Sequence, residues 1–143
     1  MSPKAAKRVR VFIDGASRGN PGPASIGVVV RDAEGETVLK TVSKRIGVST
    51  NNIAEYCELV IGLQEALMLR ATEVEVFTDS ELVAKQYSGE YKIKETSLQQ
   101  YYVIISHLRQ AFKSLRVGHI PREQNKDADR EANRALDEQP TFF

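Results

Sequence analysis

Apolar and polar residues follow a period of two in some stretches of this chain and a period of three to four in others, and the switches divide it into elements. Val9, Val11 and Ile13 share one face of a strand while Phe12 occupies the other, which predicts a central strand covered on both sides. The strand is expected to end at Asp14, ahead of a glycine-rich turn through Gly19 to Pro23. Ile26 to Arg31 and Thr37 to Lys44 read as two more strands around a turn at Gly35, so the first three strands form an antiparallel meander. Alternation in the third strand is mixed, as expected at a sheet edge.

The period then lengthens. The capping residues Ser49 to Asn52 precede a helix from about Ile53 to Arg70, with Ile53, Cys57, Val60, Ile61 and Leu67 at helical spacing. Glu55 shares a stripe with Leu59, Leu63 and Ala66, so its carboxylate lies along a partly apolar face. Val74 to Thr78 is a short strand ending on Asp79. A right-handed crossover sets it parallel to the first strand and brings Asp79 beside Asp14. Ser80 to Tyr87 reads as a short helix, followed by the loop GEYKIKET. Ser97 to Leu115 reads as a longer helix with Tyr101, Ile104, Ile105, Leu108 and Phe112 inward. A strand from Arg116 to Ile120, the loop PREQNKDAD and a helix from about Asp127 to Leu136 complete the pattern, with EQPTFF as a tail. The fold class expected is α/β, a five-stranded mixed sheet, three strands antiparallel and then two parallel, flanked by helices.

Composition places all of this in one domain. With 143 residues, 41% apolar and 27% charged, residues 1–143 suffice for a single core over about 9–136 with short tails. No apolar run approaches the length of a membrane span, and MSPKAAKRVR lacks the apolar centre of a secretory signal, so a cytoplasmic monomer with no membrane partner is expected. Cys57 is the one cysteine and reads as a small core filler. A net charge of +1 is neutral on nucleic acid, but Lys7, Arg8 and Arg10, then Lys44 and Arg45, then Lys92 and Lys94 are clusters able to touch phosphates.

The candidate chemistry lies in the acids. An aspartate at the end of a covered strand is costly unless paired or metal-bound, although an Asp-Gly pair also simply opens turns. Asp14, Asp79 and Glu55 share one end of the expected sheet, where their mutual repulsion calls for a hard divalent cation. Two Mg²⁺ ions about 4 Å apart are the usual arrangement for in-line attack on a phosphodiester.

With these acids placed, the motifs IDGASRGNPGP, STNNIAEY, FTDSELV and HIPREQNKDADREAN together resemble the type 1 ribonuclease H family, in order, from Val9 to about Leu136. The resemblance implies a ribonuclease H-like fold and hydrolysis of the RNA strand of an RNA–DNA hybrid to 5′-phosphate and 3′-hydroxyl ends. It carries the catalytic, metal-holding carboxylates onto Asp14, Glu55, Asp79 and Asp129. Asp127 competes with Asp129, but the family's acid stands four residues after the loop asparagine, here Asn125. The cofactor implied is Mg²⁺, two ions in the substrate complex, with Mn²⁺ as the alternative. Asp14 would bridge both, Glu55 and Asp79 would hold the ion near the leaving oxygen, and Asp129 the ion near the attacking water.

The resemblance also assigns substrate contacts to Ser17, Asn20, Thr50, Asn51 and Asn52, which double as turn and cap residues. Glu81 stands where many members carry a glutamine that contacts the substrate, a departure from the family pattern. SGEYKIKETS replaces the basic, tryptophan-containing protrusion of many bacterial members, and the chain has no tryptophan. His119 and Arg122 compete for the auxiliary position that aids turnover. HIPR reads as a strand end, which favours Arg122. The terminal QPTFF resembles the short peptides that dock on a sliding clamp. The alternatives are a nucleic-acid-binding module of the same fold, which has no need of four repelling acids, and an integrase-like nuclease.

Overall fold

The computed structural model describes residues 8–138; the tail QPTFF, and with it the sliding-clamp expectation, lies outside them. Strands β1 (Arg8–Ser17), β2 (Gly22–Asp32) and β3 (Val38–Ser49) form the expected antiparallel meander. Helix α1 (Asn51–Met68) crosses to β4 (Glu73–Thr78), which pairs parallel with β1. Helices α2 (Glu81–Ser88) and α3 (Thr96–Arg109) lead to β5 (Ser114–His119), parallel to β4, and a 3-10 turn at Arg122–Gln124 opens into α4 (Lys126–Glu138). The strand order β3-β2-β1-β4-β5 makes β1 central and β3 an edge, as the patterning implies.

Period-two burial decides which side each strand residue serves. Val9, Val11 and Ile13 of β1, Ile26, Val28 and Val30 of β2, and Val74 and Val76 of β4 join Leu59, Leu63 and Ala66 of α1 in the main core. Each of the Val, Ile and Leu side chains contributes about 1.5–3 kcal/mol on burial, the Ala66 methyl less. Phe12 points the other way and stacks on Phe77 of β4 with ring centroids 5.1 Å apart. Thr50 caps α1, its side chain accepting from the Ile53 N–H at 3.3 Å.

Several expected boundaries and faces move. β1 does not stop at Asp14 but continues to Ser17, because Gly15, Ala16 and Ser17 still pair with Ile26, Ser25 and Ala24. β3 likewise runs on to Ser49. α3 ends at Arg109, and the last strand is Ser114–His119 rather than Arg116–Ile120, since Ser114 to His119 take up the ladder with β4. On α1 the stripe that carries Leu59, Leu63 and Ala66 is the buried one; Leu67 is 41% exposed and lies beside the core rather than in it. Ile104 is 47% exposed, and Leu98 with Ile105 anchors α3 instead. Two adjacent apolar residues on a helix are about 100° apart, so periodicity alone does not choose between them.

α4 covers the opposite face of the sheet, over β1, β2 and β3. Its Ala128, Ala132 and Ala135 are fully buried, at the spacing of one helical stripe. Small side chains let its backbone come close, and Gly27 of β2 completes the contact: a Cβ there would strike the backbone of Ala128 and Ala132. Polar groups of the sheet hold the helix carbonyls. Ser25 Oγ donates to Ala132 O, Ser43 Oγ to Glu131 O, and the Arg45 guanidinium to Ala135 O and Leu136 O. Replacing Gly27 by Ala should displace α4 and cost about 1–3 kcal/mol. Chemical denaturation should show a lowered midpoint with an unchanged slope.

Candidate active site

The paired part of β1 and β4 ends at Ile13 and Thr78, so the next residues, Asp14 and Asp79, emerge side by side at the same end of the sheet. Glu55 arrives from the first turns of α1. Asp129 arrives from α4, which the contact at Gly27 presses against the sheet directly beside Asp14, the register partner of Gly27. These four carboxylates line one open cavity of about 490 Å³, together with Ser17, Asn51, Arg122 and Asn133. Asp127, the sequence competitor of Asp129, does not line it and pairs with Arg31 at 2.7 Å.

Each acid is oriented by a neighbour. The Gly15 N–H donates to Asp14 Oδ1 at 2.9 Å, while Asp14 Oδ2 is buried without a partner. Ser80, the cap of α2, donates its hydroxyl to Glu55 Oε2 at 2.7 Å and accepts from the Val83 N–H, so one side chain ties Glu55 to the start of α2. Arg122 Nε lies 3.9 Å from Asp79 Oδ2, and His119 Nε2 meets the Asp79 carbonyl at 3.2 Å. Asn133 donates to Asp129 O at 2.9 Å and to its Oδ1 at 3.2 Å. Asn125 is 2% exposed and donates to Ile13 O at 2.7 Å, fastening the start of α4 next to Asp14.

The remaining residues singled out in the sequence fall around the rim. The Asn20 carboxamide oxygen accepts from the Asn51 N–H at 3.0 Å, joining the β1–β2 turn to the head of α1. Ser17 Oγ donates to Gly19 O. Thr50 and Asn52 lie on the same helix cap but outside the cavity wall. His119 is the last residue of β5, paired with Thr78, and does not line the cavity, whereas Arg122 does. Asn133 escaped the sequence reading; its position four residues after Asp129, hence on the same helix face, is the signal that could have found it.

The electrostatics are those of crowded acids. The Asp14 carboxyl is pushed up to about 8, first by burial, then by the charge of Asp79, then by the neighbouring Asp129, with the Gly15 N–H opposing. Glu55 is raised by burial and by Asp79, against the hydrogen bond from Ser80. Among the described residues no three acidic, His or Cys side chains converge closely enough by themselves to hold a metal ion. The fit to a cation rests on donor chemistry: an all-oxygen set of carboxylates, with Asp14 Oδ2 and Asp79 Oδ2 buried and without hydrogen-bond partners. Such a set suits a hard divalent ion and not a soft one.

A family described as Reverse transcriptase-like matches residues 12–135. A ribonuclease HI of Halobacterium salinarum is 38% identical over 138 residues, covering 96% of this chain and 69% of that protein. The chain belongs to the type 1 ribonuclease H family. The RNase H1 structure from the same archaeon superimposes with a TM-score of 0.88 over 91% of this chain and 98% of that one. LC11-RNase H1, solved in complex with an RNA/DNA hybrid, is 42% identical with a TM-score of 0.85, covering 90% and 96%. A bifunctional protein of Mycobacterium tuberculosis is 45% identical over 130 residues, of which this ribonuclease H chain spans only 36% of the length.

The raised acids make a pH prediction for this family member. An aspartate such as Asp14 titrates near 3.8 when unperturbed and near 8 in the fold. Between those values the folded state keeps a proton that the unfolded state has lost, so rising pH favours unfolding. Thermal midpoints measured in chelator should fall as pH rises through this window, and adding Mg²⁺ should flatten the fall. A midpoint that rises with pH in chelator would contradict the assignment.

Proposed function

We propose that this chain is an endonuclease that hydrolyses the RNA strand of RNA–DNA hybrids, leaving 5′-phosphate and 3′-hydroxyl ends. The observation that carries the reading is the meeting of Asp14, Glu55, Asp79 and Asp129, from four separate elements, on one open cavity. Its relative LC11-RNase H1, seen with an RNA/DNA hybrid, supports the substrate class. Two Mg²⁺ ions, or Mn²⁺ in their place, are the proposed cofactors. Asp14 would hold both, Glu55 and Asp79 the ion on the leaving-group side, and Asp129 the ion on the side of the water. When bound, the cations would neutralise the acids and supply Lewis acidity at the scissile phosphate.

The rest of the work falls to the chain itself. Ser17, Asn20, Thr50, Asn51 and Asn52 lie along the β1–β2 turn and the head of α1; Asn20, Asn51 and Asn52 would meet ribose 2′-hydroxyls in the shallow minor groove, Ser17 the DNA-facing groove and Thr50 a phosphate. The Asn20–Asn51 hydrogen bond ties the turn to the helix head that also carries Glu55. Asn133 steadies the Asp129 carboxylate, and Arg122, which lines the cavity, would supply the auxiliary cation that accompanies the product phosphate; His119, at the end of β5 beside the Asp79 carbonyl, is the alternative. A cytoplasmic monomer completes the proposal; Cys57 is a free thiol, in keeping with a reducing compartment. Lacking a basic protrusion, the chain would bind through few phosphate contacts, with a shallow dependence on salt.

Gel-based cleavage of a labelled hybrid in Mg²⁺ should be abolished by Asp14→Asn and by Asp79→Asn, with folding by circular dichroism unchanged. An active Asp14→Asn protein sinks the reading, and a wild-type chain that binds hybrid without cutting it identifies a binding module. In multiple-turnover assays Arg122→Ala should slow product formation several-fold, whereas His119→Ala should stay near wild type. The reverse order would move the auxiliary role to His119.

A further inference from the structure

Glu58 is a carboxyl group with no part in the reaction described above. It lies on α1 one turn beyond Glu55 and is 1% exposed, and neither of its oxygens has a hydrogen-bond partner. Its place is against β1. A Cβ built on Gly15 would lie 2.5 Å from Glu58 Oε2, so this oxygen fills the space over the Gly15 α-carbon. Gly15 is the residue whose N–H holds Asp14 Oδ1. A turn further along α1, Gly62 lets the helix approach Ile13 and Val11, its own Cβ position lying 3.0 Å from each side chain. Between these contacts α1 rests on β1 by way of the Glu58 carboxyl.

Charge decides the form in which it rests there. An unpaired carboxylate removed from water costs several kcal/mol. Burial raises the Glu58 carboxyl well above its ordinary range, and Asp14 of β1, Glu55 and Cys57 of α1 and Asp79 beyond β4 raise it further; none of the charges acting on it is positive. Burial and these neighbours favour its protonated form, and its role as a spacer over Gly15 follows from its place.

We propose that Glu58 is a positioning residue: a buried wedge between α1 and β1 that sets the separation of Glu55 from Asp14, and through it the affinity of the site for a divalent cation. The inference rests on the reading that these acids hold such a cation. Its logic is geometric, because Glu58 and Glu55 ride on the same helix one turn apart, while Gly15 and Asp14 are consecutive on the strand. A shorter side chain at 58 would let the helix settle toward the strand and carry Glu55 with it. Metal sites tolerate shifts of only about 0.2–0.5 Å in their ligands.

Calorimetric Mg²⁺ titration and steady-state hybrid cleavage of the wild type, Glu58→Gln, Glu58→Met and Glu58→Ala test this. Glu58→Ala should bind Mg²⁺ roughly 10-fold or more weakly and lose kcat at limiting Mg²⁺, with KM for hybrid unchanged. Gln and Met, which keep the length of the wedge without its acidity, should restore Mg²⁺ affinity to within a few-fold of wild type, on the scale where outer partners cost 10–100-fold. Wild-type Mg²⁺ affinity in Glu58→Ala overturns the proposal, as does a Gln variant as weak as Ala. Should Glu58→Ala fail to fold, Glu58→Asp, one methylene shorter, replaces it with the same expectation and the same overturning result. A wild-type chain that binds Mg²⁺ yet leaves hybrid intact would defeat the activity reading alone, because the Mg²⁺ comparison still stands; one that binds no Mg²⁺ would overturn both.

Discussion

Repulsion among carboxylates at the end of β1 and β4 is the constraint on which the rest of this structure depends. Asp14, Asp79, Glu55 and Asp129 line one cavity, and Glu58 lies buried beneath them. Nothing in that group favours its own assembly: burial and mutual charge push Asp14 and Glu55 upward, and Asp14 Oδ2 and Asp79 Oδ2 find no hydrogen-bond donor. The free energy that holds the acids together comes from elsewhere, chiefly the apolar core that packs α1 on the sheet. Stability is thus spent at a site whose repulsion a cation would relieve, as expected where local physics conflicts with the fold.

α4 is the element on which the site is most delicately balanced. It meets the sheet through alanines and Gly27, with little large apolar side-chain area, and compensates by hydrogen bonds from Ser25, Ser43 and Arg45 to its carbonyls and from Asn125 to Ile13 O. Close approach brings Asp129 beside Asp14, since Gly27 and Asp14 are register partners. A bulkier helix face would hold α4 more firmly by burial and set Asp129 farther away. Closeness and packing area are exchanged at this interface, and closeness prevails.

The rim of the site shows residues with two duties. Thr50 caps α1, and Asn20 ties the β1–β2 turn to the same helix head, so groups suited to a nucleic acid are first of all fixtures of the backbone. Ser80 caps α2 while holding Glu55. Such coupling keeps polar groups rigid at a surface where loops would otherwise wander.

Much of this was legible in the chain. Alternation of Val9, Phe12 and Ile13 marked a central strand, the crossover rule set β4 beside β1, and the family motifs named the acids that the structure brings to one cavity. Local pattern suffices there, because strand period and crossover handedness act over short stretches. It did not suffice for the end of β1, where the ladder to β2 carries the strand past Asp14, or for the choice between Ile104 and Ile105, which packing against α1 decides. Nor did it reveal Asn125 as the anchor of α4 or Glu58 as a buried acid, since Glu58 stands in a helix beside polar and apolar neighbours alike. The sequence by itself determined which elements form and which acids they carry. Only the tertiary structure decided how near those acids come, because distance between elements depends on the size of side chains contributed by both, and no single stretch holds that information.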